Sequence, residues 1–427
     1  MKPVYYRYIA AGVIGIIALI AFFIMKGVIP GLKNAPASVT LTIWGFPPES
    51  YFTESFAGYH AKNPGVRITY TQFDETTYEE EIMNGLATGK GPDILMVQNN
   101  WLARHSNKLI LLDAPSESRE TLLEQFPEVV RHDFVKDDAL FGLPLSIDTL
   151  ALLYNKRLFE DAAIVFPPTT WNEFKFAAST LTRRDETGAF LQYGAAIGGN
   201  KASITNTVDI LTAFFLQLKV VEPTKMIAEE ARDAFVRDGE QALLRYTQFA
   251  SPAGGGTYIW DSPPRTTDFI TFAQGKTAMI FGYAKDLAAL TKWGSELRVG
   301  AAPFPRIEAF GSQLTIARYF GFAVPHTSGN PEAAWDFIQS MTTDPALISH
   351  YLVASDEPPA LKTLIDQYIK TRERAPFVEQ TLTARSWNAY IHKTTNSVFD
   401  TMITDALREM PNMRPAILKA LSVFFSL

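Results

Sequence analysis

The chain has 427 residues, a formal charge of −6 and no cysteine. The missing cysteine excludes disulfides, thiolate metal sites, cysteine nucleophiles and a lipid-bearing cysteine anchor. With 47% apolar and 12% aromatic residues the chain can bury sizeable cores, while its negative charge argues against nucleic-acid binding.

Residues 8–25, YIAAGVIGIIALIAFFIM, form an uncharged and almost wholly apolar run of 18 residues. At 1.5 Å per residue a helix of that length reaches roughly 27 Å, close to the hydrocarbon thickness of a bilayer. Lys2 and Arg7 precede it, and Lys26 and Lys33 follow it. We expect an uncleaved transmembrane signal anchor over 8–25 and a Gly/Pro/Ala-rich linker over 26–38. The competing reading is a cleaved signal peptide, with Ala35-Pro36-Ala37 as the small-x-small site. A buried core helix is a third. Without residues 1–37 the chain holds 35 basic and 45 acidic residues, a formal −10.

Beyond the linker, Val39–Trp44 alternates as a strand, 50–61 fits an amphipathic helix, and Asn63-Pro64-Gly65 is a turn. A second strand is expected over Val66–Thr71, a helix over 77–88, and a third strand over Asp93–Val97 after the turn Gly89-Lys90-Gly91-Pro92. This rhythm implies crossovers and a mainly parallel sheet. Leu150–Asn155 is another short strand. Thr170-Trp171-Asn172-Glu173 is a capping box opening a helix to about Leu181. Helices follow over 206–219 and 226–249, then a flexible Gly-rich loop over 251–256. Next come a short helix over 267–274 and strands over Thr277–Phe281 and Phe320–Val324. Asn330-Pro331 and Asp344-Pro345 each begin a helix. Four more helices are expected over 360–370, 376–390, 394–407 and 414–425.

Motifs for chemistry are absent. Gly275-Lys276-Thr277 has Ile270 where a phosphate-binding loop needs glycine, and Gly89-x-Gly91 runs into Pro92. Six scattered histidines offer no metal-ligand spacing. Glu79-Glu80-Glu81 reads as a solvated helix face. No catalytic residue, metal ligand or cofactor site is expected.

Several phrases, in order, carry a resemblance: Leu41-Thr42-Ile43-Trp44, Asn63-Pro64-Gly65-Val66, Gly89-Lys90-Gly91-Pro92-Asp93-Ile94, and Asp148 through Lys156. Pro167 through Phe174, Phe272-x-x-Gly275-Lys276-Thr277-Ala278-Met279-Ile280 and Ala334-Trp335-Asp336-Phe337-Ile338 continue it. Over roughly residues 39–345 the chain resembles the extracellular solute-binding proteins of ABC importers, in the maltodextrin-binding-like cluster for sugars and oligosaccharides. The resemblance implies an α/β, two-lobed periplasmic-binding-protein fold of the type II kind, here preceded by the membrane helix. Lobes of 39–146 plus 320–352 and of 147–319 plus 353–427 would be joined by hinge crossings near Ser146–Asp148, Arg318–Phe320 and Val353–Pro359. The ligand would lie between them, with ABC permease subunits as partners and residues 38–427 outside the cytoplasm.

Sugars are held by aromatic faces and by polar groups that fix hydroxyls, carried on loops after strand ends. The resemblance points to Trp44 and Phe46 after the first strand and to Asn99, Asn100 and Trp101 after the third. It adds Asp148 and Tyr319 at the crossings, Tyr283 after the strand before it, and Trp387 in the late helices. Each aromatic has core packing as its plain alternative, and Asp148 a hinge hydrogen bond. Asp93, Asn155, Lys156, Trp171 and Trp335 read as scaffold. Two other functions compete: a ligand sensor on the same fold, and an exported carbohydrate-active enzyme with paired carboxylates in the cleft.

Overall fold

The computed structural model describes residues 39–222, 228–263, 266–293, 297–307, 314–370, 374–387 and 395–426. The expected membrane helix and linker lie outside these residues. Among the described residues no helix is long and apolar enough to cross a membrane.

The buried apolar residues gather into two clusters. The first draws on the chain up to Ile147, on 317–364 and on Ala384. The second draws on Leu150–Ile316 and on Phe377–Ala420. The chain therefore passes between the cores more than once, and the passages are short extended segments.

The first core is built on a mixed sheet. The strand Val39–Gly45 pairs in parallel with Val66–Gln72 on one side and with Ile94–Gln98 on the other. Phe320–Pro325 then lies antiparallel to Ile94–Gln98 and carries Leu109–Ile110 and Leu143–Pro144. The mainly parallel sheet expected from the local rhythm is thus parallel in its first three strands only, because its fourth strand returns from the far end of the chain. Ile94, Leu95, Met96 and Val97 are all buried, as suits a strand covered on both faces. Gly89, at φ +67°, makes the left-handed turn out of the helix Tyr78–Ala87.

Asp93 ties this lobe together. Its Oδ2 accepts from the Thr42 amide at 3.0 Å and from Thr42 Oγ1 at 2.9 Å. Its Oδ1 accepts from Ser328 Oγ at 3.0 Å and Asn330 Nδ2 at 3.3 Å. Burial pushes its carboxyl up, but these bonds together hold it below the usual range. Asn330 precedes the helix Pro331–Thr343 as expected, yet its side chain serves Asp93 rather than the helix end.

In the second core Ala151–Asn155 is central, with Met279–Gly282 and Val299–Ala302 antiparallel on either side. The capping box at Trp171–Leu181 is complete: Thr170 Oγ1 accepts from the Glu173 amide at 3.2 Å and Glu173 Oε2 accepts from the Thr170 amide at 3.2 Å. Asn155 caps the next helix, Lys156–Asp161, through the amides of Arg157 and Leu158.

Two expectations change. Of residues 251–256 all but Ser251 fall within a 3-10 helix, Pro252–Thr257, closed by the Gly254 amide on Ser251 O at 2.8 Å and Thr257 Oγ1 on Gly254 O at 2.8 Å. The helix expected over 376–390 spans only Ala375–Gln380. The chain then turns and runs beside Thr315–Ala317, with the Arg385 amide donating to Thr315 O and the Ala317 amide to Arg385 O, each at 3.0 Å.

The passages between the cores lie together. Asp148–Thr149 pairs with Ala317–Arg318, and Ser146 bridges to Pro359. Ala360, Leu361 and Leu364 still pack in the first core, so the chain changes cores between Leu364 and Phe377 rather than at the expected crossing of Val353–Pro359.

Candidate ligand-binding cleft

Between the cores lies a cleft of about 420 Å³. The first core supplies Phe46 and Gln98 to Trp101, which follow the carboxyl ends of two neighbouring parallel strands. Arg104, Phe320 and the acidic residues Glu75, Glu79 and Glu80 complete that wall. Asp209, Trp387 and Asn396 face them, and Ile316, Ala317, Arg318 and Ser386 line the passage between. A smaller cavity of about 100 Å³ adjoins it, sharing Phe46, Glu75, Arg318 and Phe320 and reaching Ser146, Asp148, Tyr283, Tyr319, Tyr351 and Glu357.

Four of the residues expected to bind ligand line the main cleft, although Trp101 and Trp387 are also core residues, only 6% and 2% exposed. Phe46 is half-buried and sits edge-on to Phe320 and Tyr78, at 4.6 Å and 5.6 Å between centroids. Trp101 is held by Tyr78, His105 and Phe320. Trp387 comes from the opposite side, packed edge-on to Phe215 and Phe399 with its indole N–H on Val220 O at 3.3 Å. Asn100 lines the cleft with its Oδ1 enclosed and without a hydrogen-bond partner. A buried acceptor left open is a costly feature in a native fold, and here it belongs to a cleft residue.

The others are placed differently. Asn99 lines the cleft, but its side chain is spent on the scaffold: Nδ2 donates to Ser386 Oγ at 2.8 Å, Asp133 Oδ2 at 3.0 Å and Ala317 O at 3.3 Å. Trp44 lines neither cavity; its ring packs on Phe73 at 4.9 Å and over Gly85. Tyr283 and Tyr319 face the smaller cavity, with hydroxyls donated at 2.8 Å to Asp209 Oδ2 and Asp133 Oδ2. Burial, then the charge of those carboxylates, pushes both phenols well up.

Asp148 also faces the smaller cavity. It accepts from the Thr149 amide at 2.8 Å and from the amides of Ala284 and Lys285, at 3.0 and 3.4 Å, where the helix Ala284–Trp293 begins. Burial pushes its carboxyl up to about 7, aided by the charges of Glu357 and Asp286 and opposed by the amide bonds. Glu357, raised by its own burial, accepts from Ser146 Oγ at 2.6 Å and Tyr351 O–H at 3.0 Å.

Sequence reasoning missed the charged cleft residues. Glu79, read as part of a solvated face, is half-buried and holds Arg104 at 3.2 Å and His105 at 3.0 Å. Only Glu80 and Glu81 of that run are exposed, and Glu80 still borders the cleft. Arg104 stands three residues after Trp101 on a short helix, a spacing that would have flagged it. Asp209 and Arg318 meet at 3.9 Å, as do Glu75 and Lys285, and these pairs exist only through the fold. Each of the cations Arg104, Lys285 and Arg318 therefore faces a carboxylate. Among the described residues no group of three or more His, Asp or Glu side chains is placed to hold a metal ion.

Residues 54–375 match the sequence family of bacterial extracellular solute-binding proteins. The chain belongs to that family. Among curated solute-binding proteins it is similar to the maltotriose-binding protein of Pyrococcus abyssi, at 21% identity over 72% of this chain and 63% of that one. It is also similar to a putative binding protein of Brucella abortus, at 26% identity over 31% of this chain and 32% of the other. The chain thus spans less than two thirds of the curated relatives it matches. Among solved solute-binding structures, a cyclo/maltodextrin-binding protein complexed with maltotetraose superposes with a TM-score of 0.72 at 17% identity, covering 92% of this chain and 97% of that one. The cyclic α-maltosyl-1,6-maltose binding protein of Arthrobacter globiformis gives 0.71 at 18%, covering 91% and 98%. These likenesses establish the two-lobed α/β solute-binding fold.

Proposed function

We propose that this solute-binding protein captures a neutral sugar or oligosaccharide in the cleft and delivers it to an ABC import permease, without turnover. The observation that carries the reading is the pairing of rings with an open amide. Half-buried Phe46 offers an apolar surface, Trp101 and Trp387 back the walls with their largely buried rings, and the enclosed Asn100 Oδ1 calls for a donor such as a ligand hydroxyl. The cleft's cations already face carboxylates, which favours a neutral ligand over an anion. The names of the relatives, which bind maltotriose and maltodextrins, agree.

In this reading residues 39–146 and 320–352 form one lobe, and 147–319 and 353–427 the other, with 360–364 packed back on the first. The lobes close by rotation about the paired strands near Ser146–Thr149 and Ala317–Phe320. The apolar run 8–25 tethers the protein as a single-pass anchor and leaves residues 38–427 on the extracytoplasmic side.

The detergent-solubilised full chain, titrated with maltotriose, maltotetraose, tagatose and mannotriose, tests this. Saturable change in tryptophan fluorescence with a smaller radius of gyration in small-angle scattering is the expected result. No response to any of these or to a wider solute panel would sink it. Hydrolysis of a bound oligosaccharide would favour the enzyme reading instead.

A further inference from the structure

Behind the cleft a carboxylate sits where several chain segments converge. Asp133, on the helix Glu128–Phe134, has a side chain with no solvent exposure. Its Oδ2 accepts Ser386 Oγ at 2.6 Å, Tyr319 O–H at 2.8 Å and Asn99 Nδ2 at 3.0 Å. Its Oδ1 lies 3.0 Å from His132 Nδ1. Asn99 and Tyr319 are further locked by reciprocal backbone bonds, the Asn99 amide on Tyr319 O at 3.0 Å and the Tyr319 amide on Asn99 Oδ1 at 3.3 Å.

These partners belong to different parts of the protein. Asn99 immediately precedes Asn100 and Trp101 of the first cleft wall. Tyr319 lies at a passage between the cores. Ser386 lies between Ala384, packed in the first core, and Trp387, packed in the second. The segment through Arg385 runs beside Thr315–Ala317, so it makes a further passage that sequence reasoning did not place. A position needing only volume would be filled as stably by an apolar side chain. A buried carboxylate with three donors on one oxygen fixes directions as well.

We infer that Asp133 is a positioning residue for the cleft: it holds the Asn99–Trp101 loop and the Ser386–Trp387 segment in one register, so that the two cleft walls meet the ligand together. Asp133 lines neither cavity and does not touch ligand; it acts through Asn99 and Ser386. Asp133→Leu keeps the volume and removes the acceptor shared by Ser386, Tyr319 and Asn99, whereas Asp133→Asn can keep its Oδ1 toward those three donors and turn its N–H to His132 Nδ1.

The test has an arm that needs no ligand. The seven tryptophans are labelled with 5-fluorotryptophan in the full chain and assigned by Trp→Phe changes. In Asp133→Leu the fluorine resonances of Trp101 and Trp387 should move, while those of Trp171, Trp260 and Trp335 stay, and Asp133→Asn should bring the moved signals back toward the parent. Ser386→Ala, a milder change, should move Trp387. Unmoved Trp101 and Trp387 signals, or all signals moving together, would overturn the role. The second arm rests on the sugar-binding reading: maltotriose affinity by calorimetry should fall about tenfold or more in Asp133→Leu. An unchanged affinity overturns the inference. If the unaltered protein fails to bind maltotriose, that ligand assignment fails, and the resonance pattern alone decides the positioning role.

Discussion

Asp148 gives a prediction that separates a hinge carboxyl from a ligand carboxyl. Its carboxyl is held up to about 7 in the fold against 3.8 in the open chain, first by burial and then by the charges of Glu357 and Asp286. Between those limits the native state keeps a proton that the unfolded chain has released. The group's contribution to stability is therefore full below about pH 4 and is lost as pH rises through 7. A difference of about 3 units at 1.36 kcal/mol each makes that loss roughly 4 kcal/mol. In Asp148→Asn the neutral amide keeps an oxygen for the Thr149 and Ala284 amides and turns an N–H toward the Lys285 amide, whose 3.4 Å contact is the longest of the three. Losing that contact costs about 1 kcal/mol. The variant should therefore be about 1 kcal/mol less stable than the unaltered protein at pH 4 and roughly 3 kcal/mol more stable at pH 8. Urea unfolding at pH 4, 6 and 8, with the slope on denaturant checked for constancy, reads this directly. A variant less stable than the parent at every pH, or one with the parent's pH dependence, would refute the reasoning. Unchanged sugar affinity would add that Asp148 serves the hinge alone.

Other substitutions probe the remaining parts. Trp101→Phe and Trp387→Phe, which keep a ring in these buried sites, should each weaken sugar binding by about 0.5–1.5 kcal/mol in calorimetry. Asn100→Leu, which removes the open acceptor, should weaken binding by about tenfold or more while leaving the unfolding free energy within about 1 kcal/mol of the parent. Asp93→Ala strips four hydrogen bonds from the first lobe and should lower its stability by about 2–4 kcal/mol in urea, with ligand affinity unchanged at temperatures where it remains folded. Thr170→Ala should cost about 1 kcal/mol through the lost cap.

Local signals carried the elements and positional signals carried the fold. Alternation over Val39–Trp44, the cap at Thr170 and the turn at Gly89 are written within a few residues, and the strand, found over Val39–Gly45, the cap and the turn stand where expected to within one residue. The cleft was readable only in part. Loops after parallel strands must face the ligand crevice, which finds Phe46, Asn100 and Trp101. The same rule cannot tell that Asn99 is consumed by Asp133 and Ser386, because those partners lie 34 and 287 residues away in sequence. Trp44 failed to reach the cleft for a simple reason: within Val39–Gly45 successive side chains alternate faces, and its face meets the helix at Gly85. The charged pairs Asp209–Arg318 and Glu75–Lys285 leave no local trace at all.

The antiparallel return of Phe320–Pro325 has a consequence for how the chain is made. Until that strand arrives, Ile94–Gln98 presents a long apolar edge with no neighbour on one side. About 220 residues separate the two strands, so at 5–20 residues per second the edge waits roughly 10–45 seconds after synthesis. Through that interval the first lobe cannot finish its sheet, since Leu109–Ile110 and Leu143–Pro144 also wait for Phe320–Pro325 to pair with them.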